Sequence, residues 1–487
     1  MLKLDHDRVH LTSVAAPRAT IALPVSAAEL ERPDAGSVFQ TLRQAGFRAA
    51  IGEALVLATD GAGTQVAFGV GPRTSADNLR SGAMALGARL GGDAAIAVDL
   101  TAHPAAQQPV YAAAVVEGAI LGSYAWSAPD GSEPPGPELL LEVDEQVREA
   151  TAASCRRAAV RARAANWARR LTDTPPSDLT PERFAAIAAE LAEANGWSAA
   201  SLAGDALLDA GLTAIHAVGR SSSRAPQLID LTYAGRGGET IDVVVIGKGV
   251  TMDCGGLNLK TERPIAAVMK SDMAGGAAAL ACLAAAAALE LPVNVRVLVP
   301  AVENLVGPDA MLPGDVIEHF GGRRTEVTLT DAEGRLVLAD CLAYARHVAA
   351  DATLIDLGTL SEAPFAPLGW TVASGDGELA AGLQRAAAAV GELAVHIPRV
   401  EGFEAWTASP VADSKNFSYA HGSQDLMFVP AFLAPFAGEG RWAHIDVCAV
   451  AYLYDGWSTW PQGATGSPTR PLVELLAGWD APADTAR

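Results

Sequence analysis

Cysteine is scarce: five in 487 residues, widely spaced, with no CxxC pair. That excludes a disulfide-stapled secreted fold and a cysteine-ligated zinc module, and fits a reduced intracellular chain. Positive charge is also short. Asp and Glu outnumber Lys and Arg 56 to 35, giving a net charge of −21 and a pI near 4.8. A surface that acidic argues against nucleic-acid and anionic-membrane partners, both of which need a basic footprint. The opening residues MLKLDHDRVHLTSV lack the basic and apolar regions of a signal peptide. The longest uncharged apolar run, Met273 to Leu289, is mostly alanine and glycine. A membrane span needs about 20 strongly apolar residues, so this run reads as a buried helix. The expected location is the cytoplasm. Catalytic signatures are absent too: no HExxH, no GxSxG elbow, and no GxxxxGK[ST] loop around Lys248.

What the chain has is apolar substance, 50% of its residues, and length enough for two or three domains. Only five of its 35 basic residues are lysine, and three of those (Lys248, Lys260, Lys270) fall between 248 and 270. Arginine serves wherever a generic positive charge suffices. Lysine differs in being a compact point charge that can shed its proton when buried or metal-bound. This segment is the first place to look for chemistry.

Strand-like runs at 19–25, 54–59, 64–70 and 94–100 alternate with helical patterns at 37–46 and 75–91, the second capped by Ser75 or Asp77. This predicts an N-terminal α/β domain over 1–143. An arginine-rich helical segment over 144–172 reads as a linker helix packed on acidic surface. The catalytic α/β domain is expected over 173–487, around a central, mostly parallel or mixed sheet. Its strands are 241–247, continuously apolar as befits a strand buried on both faces, then 293–301 and 352–358. The stretch 248–260 reads as a loop, and a helix follows Asp272.

Carboxylates gather just past these strands, where α/β folds place their sites. Lys248, Asp253, Lys260 and Asp272 come from the first segment; Asp331, Glu333 and Arg335 come from the second. Four carboxylates on one site repel unless cations neutralise them. A pair of divalent metals, about 3.5–4 Å apart, does so and generates a nucleophilic hydroxide. A lysine beside that charge can serve as a neutral nitrogen ligand.

The runs Ile246-Gly-Lys-Gly-Val-Thr-Met-Asp-Cys-Gly-Gly-Leu-Asn-Leu-Lys260, Met269-Lys-Ser-Asp-Met-Ala-Gly-Gly-Ala277 and Thr330-Asp-Ala-Glu-Gly-Arg-Leu336 closely resemble the metal-binding motifs of the leucyl aminopeptidase (cytosol aminopeptidase) family. Ala301-Val-Glu-Asn304, Trp442-Ala-His-Ile-Asp446 and Gly463-Ala-Thr-Gly466 continue the resemblance, which covers roughly 165–487. It implies that Lys248, Asp253, Asp272 and Glu333 bind a tighter metal, and Asp253, Asp331 and Glu333 an exchangeable one. It further implies that Lys260 polarises the scissile carbonyl, and that Arg335 holds a bicarbonate acting as general base on a bridging water. The implied cofactors are two divalent ions (zinc, manganese or magnesium), and the implied assembly is a homohexamer acting on peptides.

The sequence departs from the family at its substrate positions. Met269 is kept, but Gly358-Thr-Leu-Ser-Glu-Ala363 carries Glu362 where the family has glycine, next to Thr359 and Leu360. Cys448-Ala-Val-Ala451 replaces a run ending in methionine, so Ala451 leaves a roomier pocket. Two other readings stay open: a catalytically diverged binding or regulatory protein, and a dinuclear hydrolase of another amide.

Overall fold

The structure is a computed structural model that describes residues 8–11, 19–32, 36–60, 63–92, 94–126, 136–361, 369–399, 402–420 and 424–479. Its contacts form two compact units: Lys3–Asn166 with Tyr454–Gln462, and Trp167–Leu453 with Gly463–Arg487.

The smaller unit holds a six-stranded sheet ordered Val9–Leu11, Glu138–Glu142, Ala95–Asp99, Thr20–Val25, Gly63–Gly69, Ala54–Asp60. All neighbours are parallel except the closing hairpin. Helix Ala76–Leu90 starts where expected, with Ser75 Oγ accepting from Asn78 N. A second helix, Gln108–Gly122, has no counterpart among the expected elements. It is buried on nearly every side, so its sequence shows no polar face to set a helical period. Glycine lets the pair close up: a Cβ on Gly118 would lie 2.1 Å from Arg80 O. Glu117, fully buried in this helix, sits between Arg80 Nε (2.7 Å) and Arg161 Nε (3.1 Å). In helix Arg148–Asp173, Arg161, Arg163 and Arg169 are buried, so its basic residues are not a solvent-facing stripe.

The larger unit is built on a nine-stranded mixed sheet, which bears out the α/β reading. Eight strands run in the order Ala394–Pro398, Trp370–Ser374, Trp442–Asp446, Thr353–Gly358, Val243–Gly247, Asn294–Asn304, Gln227–Ala234, Ser198–Ala203, and the ninth, Gly249–Asp253, pairs with Asn294–Asn304 off this path. The four central strands, from Trp442–Asp446 to Asn294–Asn304, are parallel; Trp370–Ser374, Gln227–Ala234 and Ser198–Ala203 join antiparallel, and Ala394–Pro398 pairs in parallel with Trp370–Ser374. Val244 and Ile246 share a core cluster with Leu336, Val337 and Leu342 of helix Gly334–Val348. Helix Ala274–Ala288 packs on the same strands. The apolar run Arg263–Ala288 is long enough to cross a membrane, but 89% of its most apolar window is buried in the fold. It is a core helix.

The stretch 248–260 is only partly a loop. Gly249–Asp253 is a strand, parallel to the far end of Asn294–Asn304. Glycines at its start and past its end mask it in the sequence. Val250 pairs Val302 and Met252 pairs Glu303, so Thr251 is an extra residue in the ladder and Asp253 arrives opposite Asn304.

Candidate metal centre

The parallel strands deliver charged groups at their carboxyl ends, where an open α/β sheet leaves a crevice. Lys248 directly follows Val243–Gly247, Asp253 ends Gly249–Asp253, and Thr359 follows Thr353–Gly358. Asp272 lies in the short 3-10 helix Met269–Met273. Asp331 precedes helix Gly334–Val348, and Glu333 is that helix's N-cap residue.

Two lysines each bridge two carboxylates. Lys248 Nζ stands 2.8 Å from Asp272 Oδ1 and 2.9 Å from Glu333 Oε1, and donates to Thr359 O at 2.8 Å. Lys260 Nζ stands 2.9 Å from Asp253 Oδ2 and 2.5 Å from Asp331 Oδ1. One oxygen from each of Asp253, Asp331 and Glu333 lies within 4.8 Å of the other two. At that spacing each ionised pair repels by about 3 kcal/mol at an effective dielectric of about 20.

The donor set fits divalent cations. Asp272 Oδ2 and Glu333 Oε2 are buried with no hydrogen-bond partner, a costly arrangement for an ionised acceptor unless a cation completes it. Carboxylate oxygens with one amine nitrogen suit ions such as Mn²⁺, Mg²⁺ or Zn²⁺. The electrostatics agree. Burial, then Asp253 and Glu333, push the Asp331 carboxyl up to about 7, against the pull of Lys260. Asp272 is raised as well, by burial and by Glu333 and Asp253, with Lys248 opposing. Burial lowers the Lys248 pKa, but Asp272, Glu333 and Asp253 outweigh it and hold the ammonium charged.

Neutral amides fix the carboxylates. Asn304 Nδ2 donates to Asp253 Oδ1 (2.8 Å) and to Thr330 O (3.1 Å), tying together the segments that carry Asp253 and Asp331. Gly255 N donates to the same Oδ1 at 2.8 Å from a backbone with φ +90°, which favours glycine. Asn258 Oδ1 accepts from Thr330 N at 2.8 Å, while Asn258 N donates to Thr330 Oγ1 at 2.9 Å. Sequence reasoning assigned neither asparagine a role; the Gly255-Gly256 turn between the loops is the signal that could have found them.

The remaining site residues divide. Thr359 Oγ1 donates to Asp272 Oδ1 at 2.6 Å, joining the cluster. Buried Arg335 donates from Nη1 to Asn416 O (2.8 Å) and from Nη2 to Leu360 O and Asp425 Oδ1 (both 3.2 Å); its Nε has no partner. Met269 is half-buried at the start of the Asp272 turn. Ala451 is buried and bonds through its backbone to Val447 and Thr465, not to the cluster. Glu362 lies outside the described residues. Lys270, the third lysine of the segment, donates to the carbonyl of Asp173 instead. On the neighbouring strand, His444 Nδ1 lies 2.6 Å from Asp356 Oδ1, whose Oδ2 accepts from Trp442 Nε1 at 2.7 Å.

Comparison with known proteins points one way. The model of the cytosol aminopeptidase family's catalytic domain matches residues 166–473. A probable cytosol aminopeptidase of Roseiflexus castenholzii is 38% identical over 381 residues, 76% of each chain. The solved bottromycin maturation enzyme BotP superposes with a TM-score of 0.82 at 33% identity, covering 94% of this chain and 99% of that one. BotP is also solved in complex with Mn, with a TM-score of 0.81 at 32% identity, covering 94% and 98%. The cytosol aminopeptidase from Coxiella burnetii gives 0.79 at 26% identity, over 96% and 99%.

Proposed function

This chain belongs to the cytosol aminopeptidase family and is a metal-dependent aminopeptidase acting on peptides, and we propose that its site works with two divalent cations. Lys248, Asp253, Asp272 and Glu333 hold one; Asp253, Asp331 and Glu333 hold the other. The observation that carries this reading is the three-carboxylate cluster within 4.8 Å, with buried oxygens left unpartnered. Bound there, divalent ions supply a Lewis acid and lower the pKa of water into the neutral range.

The chain's own residues do the rest. Lys260, between Asp253 and Asp331, donates to the scissile carbonyl oxygen and stabilises the charge that develops on it. Lys248 serves as a nitrogen ligand after losing its proton. Asp272, Glu333 and Asp253 keep that proton in place, and its release to solvent would accompany occupancy of the site. Arg335 holds a bicarbonate as general base, a role resting on the resemblance and on the unpartnered Nε. The free α-amine of a peptide is a good ligand where an internal amide nitrogen is not, which makes the enzyme an exopeptidase. The homohexamer and the cytoplasmic location likewise rest on the resemblance. Glu362 and Ala451 are proposed to make leucyl substrates not preferred, with basic or large first residues tolerated.

Metal content and hydrolysis of aminoacyl amides, compared between wild type and Asp253→Ala, test the assignment. The variant is expected to lose both while keeping its fold; full activity with two ions bound would sink it.

A further inference from the structure

We propose that Asn416 is a positioning residue for the metal centre, locking the turn that carries Asp331 and Glu333 into one conformation together with Arg335. The inference rests on the reading that Asp331 and Glu333 hold metal.

Asn416 is fully buried. It follows the two-residue strand Ser414–Lys415, which pairs in parallel with Arg324–Glu326, and its backbone N donates to Glu326 O at 3.0 Å. Every polar group of its side chain is turned on the ligand loop. Oδ1 accepts from Thr328 N (2.8 Å), Thr328 Oγ1 (3.2 Å) and Leu329 N (3.3 Å). Nδ2 donates to Leu329 O (2.7 Å) and Ala332 O (3.1 Å). Its own carbonyl accepts from Arg335 Nη1 at 2.8 Å. One residue therefore grips the chain on both sides of Asp331 and on both sides of Glu333.

Only a carboxamide does this. It presents donors and an acceptor on one flat group, so it can bond N–H and C=O of the same turn. An aspartate of the same shape has no donors for Leu329 O and Ala332 O, and adds a negative charge to a region already crowded with them. Glu333 leaves Oε2 unpartnered and Asp331 is half-exposed, so the bonds that hold their backbone come from elsewhere. Without the Asn416 grip, ion binding would itself have to order the turn. Groups that orient metal ligands typically account for about 10–100-fold in metal affinity.

The test uses full-length protein stripped with a chelator. Mn²⁺ binding is read by calorimetry, unfolding by circular dichroism, and kcat and KM on a leucyl amide after reloading. Asn416→Ala, Asn416→Ser and Asn416→Asp are each expected to raise the Mn²⁺ Kd about tenfold or more, and to lower kcat more than they raise KM. Ser414→Ala, which removes only the 3.1 Å contact to Thr325 Oγ1 on the paired strand, is expected to lower the melting temperature and leave Kd alone. If the Asn416 variants behave like Ser414→Ala, the residue is merely structural and the proposal is overturned. Failure of all three to fold without metal overturns it equally. Asp331→Asn separates the two readings: if it leaves the wild-type Kd unchanged, the site assignment falls first and takes this inference with it.

Discussion

A Cβ on Gly334 would stand 2.5 Å from both Cε and Nζ of Lys248. The lysine reaches Glu333 and Asp272 only because the first residue of helix Gly334–Val348 has no side chain. Alanine is the better helix former by about 1 kcal/mol, so on propensity alone Gly334→Ala should stabilise the protein. The clash predicts the opposite for the site. Gly334→Ala is expected to fold, to bind Mn²⁺ at least about tenfold more weakly, and to lose hydrolysis in step. Calorimetry on the metal-free protein checks it; an unchanged Kd would contradict the steric account.

Lys248→Arg probes the same position from the other side. It keeps the charge beside Asp272 and Glu333, but a guanidinium stays protonated in proteins and cannot become a nitrogen ligand. The variant should fold in metal-free form and fail to hold the ion proposed for Lys248. Two ions by elemental analysis, together with normal turnover, would count against ligation by Lys248.

The protonation of Asp331 is expected to couple metal affinity to pH. Its carboxyl is pushed up to about 7 by burial and by Asp253 and Glu333, so below that pH a proton competes with the cation. Affinity for Mn²⁺ should climb by about a factor of ten per pH unit below 7 through this group, and level off above 7. The metal-free protein should show the reverse trend in stability. The folded state holds this proton while the unfolded state has released it, so the contribution of Asp331 declines as pH rises from about 4 to about 7. Calorimetric titrations from pH 5.5 to 8.5 on wild type and Asp331→Asn test it; the variant should lack the bend near 7.

The buried His444 gives a second pH signature of opposite origin. Burial lowers its pKa, but Asp356 at 2.6 Å and then Asp446 outweigh burial, so the folded value lies above the usual 6.5. A raised imidazolium stabilises the fold fully below about pH 6.5 and loses that contribution as pH rises through the folded value. His444→Gln should therefore be costlier at pH 6 than at pH 9. Breaking a buried pair of this kind costs about 3–5 kcal/mol. Urea melts at the two pH values decide it; equal losses at both would refute the charged assignment.

The architecture of the larger unit was legible because its strands are long apolar runs and its helices carry clear starts. Val243–Gly247 and Thr353–Gly358 lie inside their expected ranges, and Ala274–Ala288 begins just past Asp272. Helix Gln108–Gly122 was not legible: a helix buried all round shows no period. At the site, scarcity of lysine led to Lys248 and Lys260, and the same argument misled for Lys270, whose ammonium serves a backbone carbonyl. The asparagines escaped for a different reason. A neutral amide leaves no charge pattern, and its partners lie far along the chain: Asn416 bonds to Thr328 across 88 residues, Asn304 to Asp253 across 51. Only the folded path brings them together.

The extra residue at Thr251 has a consequence for how this site is metered. In a regular ladder Asp253 would advance one rung, about 3.3 Å, beyond Asn304 and turn its side chain to the opposite face. Bulges in parallel pairs are rare. This one takes up a residue, so that the carboxylate stops level with the amide that grips its Oδ1. The reach of Asp253 is thus a matter of counting, set by the length of the strand and not by any side chain. Insertions or deletions between Lys248 and Asp253 would retune the distance between ammonium and carboxylate while leaving every ligand in the sequence intact.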